Sequence, residues 1–467
     1  MSGNFPEMAS WLADAIARHN VAGASVALYQ NGSLTTAAAG SANLSIGAEL
    51  TSDTLMQIGS VTKIINATII MQLVDEGLLS LSDPIAKHLP DFRLEDPAAA
   101  EKITVRMLVN HTSGIDGDIT ADHGHDEETI EKTIARMVTT RLLFEPGTDC
   151  SYSNAAIVVA GHIAEKVTGK SWYDLVKSRI FKPLGLPNSA VLPEDAMLFR
   201  TSVGHFVDRA TRVLKRSSHV FLPLGYAPAG PTTMMSAADL VTFARAHLAD
   251  GLAPNGTRIL SPESARLMRL TTESRIGMAP HGVGLGWMVF GNDVFGHGGG
   301  GPGIVARLYI SPRHQLALAV LTNSDNGGKL IEELSSTILR DCCDLEIGEP
   351  QRKASPADAE IDLFGYAGRY EDSWMVYDVG KEADTLTLST RTKIACYDCI
   401  STAPTDAAPL RPLGEDLFVL TPTEQQRVAN RDFFPETGDV FVAFRNRDQD
   451  GHFQNLANGI RLYGRTA

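Results

Sequence analysis

The run Ile64-Ile65-Asn66-Ala67-Thr68-Ile69-Ile70-Met71-Gln72-Leu73-Val74-Asp75-Glu76-Gly77 makes about four helical turns, almost uniformly apolar, with Gly77 as the stop. A helix without a polar face is buried on every side, and glycine favours the backbone conformation that ends one. Upstream, residues 11–19 have a helical pattern, and residues 24–29 and 33–38 flank Asn31-Gly32, a strong hairpin signal. Helical patterns then alternate with polar loops at 105–108, 127–139, 154–168, 173–181 and 237–248. Strand patterning returns at 284–290, 304–310 and 315–321, the last two joined through Ser311-Pro312-Arg313-His314, and a helix over 329–342 closes the series.

This order predicts an α+β fold: one antiparallel sheet shared by early and late strands, flanked by helices, with a large helical insert. Around residues 349–360 the composition shifts to Pro, Gln, Arg, Lys, Ser and Asp, which reads as a linker. Beyond it, short strands at 365–370, 385–389, 417–420 and 440–445 predict a small antiparallel β-barrel. The expected organisation is a catalytic domain over 1–348, a linker over 349–359 and a barrel over 360–467. A chain of 467 residues exceeds what a single core usually holds.

Charge narrows the partners. The net charge is −14 and no basic cluster occurs, so neither nucleic acid nor an anionic membrane is an expected partner. Met1-Ser2-Gly3-Asn4-Phe5-Pro6-Glu7 lacks the basic and apolar regions of a leader, and no stretch is long enough to span a bilayer, so a cytoplasmic location is expected. Among five cysteines, Cys342 and Cys343 are adjacent, Cys150 stands alone and Cys396-x-x-Cys399 has no second pair, which argues against a disulfide framework or a zinc site. Asp122-His123-Gly124-His125-Asp126-Glu127-Glu128 has metal-ligating residue types, but reads as a solvated loop entering a helix, placed to form part of a lid.

The chemistry enters at Ser60-Val61-Thr62-Lys63, at the mouth of the apolar helix and the only Ser-x-x-Lys in the chain. Residues three apart share a helix face, and unpaired N–H groups make a helix N-terminus locally positive. Burial and that field both disfavour an ammonium, so Lys63 is expected to titrate low and to take a proton from Ser60. Taken alone, the tetrapeptide also fits a helix-capping serine followed by a surface lysine.

Two further constellations qualify. Tyr152-Ser153-Asn154 precedes a helix; its tyrosine can relay a proton to a leaving group, especially if a lysine cation lowers its pKa, and its amide can hold the lysine or a substrate carbonyl. Tyr29-Gln30-Asn31 repeats the pattern, but at a strand end, where its tyrosine reads as structural. His297-Gly298-Gly299-Gly300-Gly301-Pro302-Gly303 implies close backbone approach, with a ligand as the expected neighbour. The N–H of Gly300 can join that of Ser60 as an oxyanion hole. His297 can bond the tyrosine or substrate, or stand in solvent on a glycine-rich hairpin; a phosphate loop lacks its Gly-Lys-Ser/Thr.

In this order, Ser60-x-x-Lys63, Tyr152-x-Asn154 and His297-x-Gly299 resemble the serine β-lactamase and penicillin-binding-protein-like family, in its class C-like branch with esterases and D-aminopeptidases of peptidase S12 type. Met56-Gln-Ile-Gly-Ser60, Met107-Leu-Val-Asn-His-Thr-Ser-Gly114, Phe144-Glu-Pro-Gly147 and Ala229-Gly230 extend the likeness over roughly residues 8–345. The resemblance implies Ser60 as acylated nucleophile, Lys63 and Tyr152 as the proton-transfer pair and Asn154 as an orienting amide. His297, Gly299 and Gly300 are implied at the substrate, with neither metal nor cofactor. The barrel resembles the lipocalin-like appendages of some members.

His297 occupies the place of the lysine in the Lys-Thr-Gly motif of true β-lactamases, which shifts the expected activity to a serine hydrolase of small esters, amides or peptides. An acyltransferase such as a peptide cyclase is the alternative, ahead of a true β-lactamase or a non-catalytic ligand sensor. Oligomeric state stays open.

Overall fold

The computed structural model describes residues 8–118, 122–124, 128–208, 211–273, 275–279, 282–291, 293–345, 363–393, 402–414, 416–423, 427 and 438–466. The proposed linker, Cys396-x-x-Cys399, His125 to Glu127 and the first seven residues lie outside them.

Helix α1 (Met8–His19) precedes β1 (Gly23–Gln30) and β2 (Ser33–Asn43). Their turn is Asn31-Gly32, both at positive φ, the backbone that a two-residue hairpin of this hand requires. After β3 (Ala48–Glu49) comes α2 (Thr62–Asp75), then an excursion that includes α3 (Val105–Val109), α4 (Asn154–Thr168) and α5 (Ala237–Leu248). The chain returns through β4 (Gly282–Val283), β5 (Met288–Gly291), β6 (Val294–Gly301), β7 (Ile304–Ser311), β8 (Leu316–Thr322) and α6 (Gly328–Cys343). These strands form one eight-stranded sheet in the order β3-β2-β1-β8-β7-β6-β5-β4, with antiparallel pairing throughout. Early and late strands thus share a sheet, as the pattern predicts. Of the expected strand at 284–290 only Met288 to Phe290 is strand, in β5, because Gly284 to Trp287 form a bend between β4 and β5.

Central β8 reads Leu-Ala-Leu-Ala-Val-Leu-Thr and is buried at every position. Alternate side chains leave a strand on opposite faces. Leu316, Leu318 and Val320 therefore pack with Leu12 of α1 and Leu334 and Ile338 of α6. Ala317, Ala319 and Leu321 join the larger core containing α2 and Phe243 of α5. Small residues on that second face let helices approach closely.

Helix α2 is buried along its full circumference except near its end. Its Asn66 is paired inside the core through both ends of the amide: Trp172 Nε1 donates to Asn66 Oδ1 at 2.9 Å, and Asn66 Nδ2 donates to the Ile157 carbonyl of α4 at 3.1 Å. Paired in this way the Asn66 amide leaves neither of its atoms unsatisfied, and it fixes α2 in register against α4.

The C-terminal strands close into a barrel: β9 (Gly368–Glu371), β10 (Met375–Glu382), β11 (Thr385–Thr392), β12 (Ala408–Gly414), β13 (Leu417–Leu420), β14 (Val440–Arg447), β15 (Phe453–Asn458) and β16 (Arg461–Arg465). Closure removes free sheet edges. Tyr366, Tyr370, Phe418, Phe444 and Phe453 pack against one another within its core, mostly edge to face.

The barrel docks on the larger unit through Leu143, Phe144, Met278, Ala457 and Leu462. Arg445 pairs with Asp149 at 2.8 Å, and Asn455 Nδ2 donates to the Leu143 carbonyl at 2.9 Å.

Candidate active site

Ser60 lies in a 3-10 turn, Gly59–Val61, that leads directly into α2. Gly59 has φ +52, and a Cβ there would collide with the backbone of Gly300, so the turn is pressed against β6. β5 pairs with β6 only as far as Gly296. From Gly298 onward that edge of β6 is free to face the Ser60 turn.

Lys63 is wholly buried, which overturns the surface-lysine alternative. Its Nζ is 3.0 Å from Ser60 Oγ and 2.6 Å from the Ala229 carbonyl oxygen. Gly230, at φ +128, lies so close to Gly59 and Ser60 that a side chain would strike their backbone, which explains a glycine beside the carbonyl that holds the lysine. The Lys63 pKa is far below that of a free lysine. Burial is the main cause; the Asp118 charge opposes it and the Arg461 charge reinforces it.

Tyr152 is buried, with its ring centroid 4.9 Å from Lys63 Nζ. The expectation that a lysine cation lowers its pKa is corrected: burial raises it, outweighing a hydrogen bond with Ser60 and the field of Arg461. Tyr152 is therefore a phenol rather than a phenolate at neutral pH.

Asn154 opens α4, with Ser153 as N-cap accepting from the Ala156 N–H at 3.1 Å. Its amide does not bind Lys63: Nδ2 donates to Asp118 Oδ1 at 2.6 Å. The second Tyr-x-Asn sits elsewhere, as expected; Tyr29 lies at the end of β1 with the Arg245 guanidinium 4.1 Å from its ring centre.

His297 is 3% exposed, which corrects the reading of a solvent histidine. Its ring centre is 6.0 Å from that of Tyr152, and Nδ1–H donates to the Gly298 carbonyl at 2.6 Å. Nε2 is then an acceptor, buried and without a partner among the described residues. Burial pulls its pKa down to about 3, so the ring is neutral.

The glycines of β6 do meet close neighbours, but they are protein groups. A Cβ on Gly299 would strike the Ile58 carbonyl, and one on Gly298 would meet the Arg307 guanidinium at 2.8 Å. Only at Gly300 is the space open. The structure thus gathers Ser60, Lys63, Tyr152, His297, Gly299 and Gly300 around one point, with the Asn154 amide turned to Asp118.

Sequence reasoning missed three contributors. His111, within the Met107-to-Gly114 segment, has its ring 4.6 Å from Tyr152 and accepts the Ser153 N–H at Nδ1 (3.2 Å); burial holds its pKa well down. Asp118 accepts from Asn154. Arg461 comes from the barrel: its Nη2 is 2.7 Å from Asp118 Oδ2, and its guanidinium carbon is 5.5 Å from the Tyr152 ring centre. For His111 the local segment was a usable signal. For Arg461 none was available, since which arginine reaches the site is decided by docking.

Asp122 to Gly124 make a local turn, in which the Gly124 N–H bonds Asp122 Oδ1 at 2.9 Å. Among the described residues no helix is long and apolar enough to cross a membrane.

Comparison with known proteins agrees with this geometry. A sequence model of the family described as Beta-lactamase matches residues 8–337. Penicillin-binding protein 4 of Amycolatopsis lactamdurans is 35% identical over 360 residues, covering 76% of this chain and 94% of that protein. The crystal structure of SurE superposes with a TM-score of 0.80 at 28% identity, covering 98% of both chains. D-amino acid amidase from Ochrobactrum anthropi SV3, solved with D-phenylalanine, gives a TM-score of 0.59 at 26% identity, covering 71% of this chain and 96% of that one. With an apolar helix that carries Ser60 and Lys63 against a glycine-rich strand edge, and a match over most of its length, the chain belongs to the Beta-lactamase family and is a penicillin-binding-protein-like serine hydrolase.

Proposed function

We propose that the protein cleaves an ester or amide of a small acyl donor through an acyl-enzyme on Ser60. The observation that carries this reading is the burial of Lys63 between Ser60 Oγ and a backbone carbonyl, Ala229 O, where burial disfavours the ammonium form beside a hydroxyl.

In this reading the Lys63 amine takes the Ser60 proton as Oγ attacks the carbonyl carbon. The N–H groups of Ser60 and Gly300 receive the developing oxyanion. As the tetrahedral intermediate collapses, the Tyr152 phenol gives its proton to the departing nitrogen or oxygen and recovers one from the Lys63 ammonium. Water then attacks the acyl carbon, and the same groups run the transfers in reverse. His297 Nε2 accepts a hydrogen bond from the substrate.

For the acyl donor we propose a D-amino acid residue. This draws on D-amino acid amidase, on a D-stereospecific amidohydrolase from Streptomyces with a TM-score of 0.58 at 28% identity, and on SurE solved with D-Leu. A neutral histidine in place of a lysine cation argues against a true β-lactamase. The closed antiparallel barrel supports the lipocalin-like reading of residues 360–467.

Fluorophosphonate labelling followed by intact mass spectrometry tests the proposal. One adduct is expected on the wild-type chain and none on Ser60→Ala; a folded wild-type chain that takes no adduct refutes it. Exposure to paired D- and L-amino acid esters, with and without an added amine, then reads stereochemistry and separates hydrolysis from acyl transfer.

A further inference from the structure

Three consecutive residues of one barrel hairpin, Ile460, Arg461 and Leu462, are tied to the segments that carry Asp118, Ser151 and Tyr152. The hairpin joins β15 to β16 through a two-residue turn, Gly459-Ile460, with Gly459 at φ +53. The Tyr152 N–H donates to the Ile460 carbonyl at 3.0 Å, and the Leu462 N–H donates to Ser151 Oγ at 2.9 Å. Between them Arg461 pairs with Asp118 at 2.7 Å, and Asp118 accepts from Asn154 at 2.6 Å. Two glycines make room for the turn: a Cβ on Gly117 would collide with the Arg461 guanidinium, and one on Gly277 with the backbone of Ile460 and Arg461.

We propose that Arg461 is a positioning residue of the acyl-transfer site: it anchors the Asp118 carboxylate that aims the Asn154 amide, while its own hairpin fixes the Tyr152 backbone. The inference rests on the reading of Ser60 as nucleophile. A planar guanidinium suits this task because it holds a carboxylate in a fixed geometry. It also has an electrostatic consequence. Asp118 by itself favours the ammonium form of Lys63, in which the lysine cannot take a proton; Arg461 opposes that field. The barrel thereby helps to keep the base neutral, while packed aromatic rings occupy its own core.

The test measures fluorophosphonate labelling rate against pH for the full chain, Arg461→Ala, Arg461→Lys and Ser60→Ala, with circular dichroism to establish folding. The groups facing Lys63 are Ser60, Tyr152, His111, His297, Asp118 and Arg461. Both histidines are held neutral by burial, so the acid limb of the profile reports Lys63. Arg461→Ala is expected to label about ten- to a hundredfold more slowly at pH 7, since small misplacements cost that much, and its acid limb moves to higher pH. Arg461→Lys keeps the charge but not the fork: its limb stays in place while the rate recovers in part.

A folded Arg461→Ala with wild-type rate and an unmoved limb overturns the proposal. If that variant does not fold, Arg461→Lys decides: a reduced rate with an unmoved limb supports positioning, and a wild-type rate overturns it. A wild-type chain that takes no label overturns the Ser60 reading and this inference together, whereas a labelled wild type indifferent to Arg461 overturns the inference alone.

Discussion

Lys63 Nζ stands 3.0 Å from Ser60 Oγ with its other hydrogen bond on a backbone carbonyl, so no carboxylate touches the amine. A lysine held this way is a base by default. Lys63→Met, which keeps the apolar stem, is expected to slow labelling of Ser60 by about 10²- to 10⁴-fold, the usual share of general acid–base catalysis. Labelling rate at fixed pH checks it, with melting temperature confirming an intact fold.

Tyr152 is expected to act from its protonated form. Tyr152→Phe keeps the ring between His111 and Lys63 but removes the proton donor. Turnover of amides, whose leaving group needs a proton, is expected to fall more than turnover of activated esters. The ratio of kcat for an amide to that for a nitrophenyl ester reads this directly; equal losses on both substrates argue against the role.

Neighbouring glycines of β6 should respond in opposite ways. At Gly299 a methyl runs into the Ile58 carbonyl, and rigid backbone cannot give way. Gly299→Ala is expected to cost about 1–3 kcal/mol, as overpacking does, and to displace the Ser60 turn. Gly300→Ala meets nothing within 4 Å and is expected to keep stability to within about 0.5 kcal/mol. Thermal unfolding of the two variants separates them.

His247 gives a pH prediction away from the site. It is buried between Phe243 and Trp287, bonds Thr68 Oγ1 at 3.1 Å, and has its pKa pulled to about 3 by burial and by Arg269. An unfolded histidine binds its proton near pH 6.5. Between about pH 6.5 and 3 the unfolded state therefore holds one more proton at this residue, so stability falls as pH falls through that window. His297, with a pKa of about 3, adds a second such contribution. His247→Phe fits the aromatic setting and is expected to flatten the slope of unfolding free energy against pH by one proton, measured by denaturant titrations across pH 4–6.

Short-range patterns along the chain specify the elements and the local chemistry. An apolar run buried on every side, Asn31-Gly32, and strands that alternate or are wholly apolar are short-range signals, and they located α2, the first hairpin and the shared sheet. Ser60 and Lys63 were legible because helical spacing alone brings residues three apart together. Tyr152 and His297 were legible as residue types beside a helix start and a glycine-rich strand. Protonation states were only half legible: the low pKa of Lys63 follows from an apolar helix, but that burial would outweigh the nearby cation at Tyr152 required knowing how closed the site is.

Tertiary structure alone decided the partners. Ala229 reaches Lys63, Asp118 rather than Lys63 takes the Asn154 amide, and Ile58 rather than a ligand crowds Gly299. Arg461 depends on the docking of a barrel whose Leu462 lies 311 residues from Ser151 in the chain. Contacts of that span are set by how two surfaces fit, through Leu143, Met278 and Leu462. No local periodicity encodes which side chain then faces the serine.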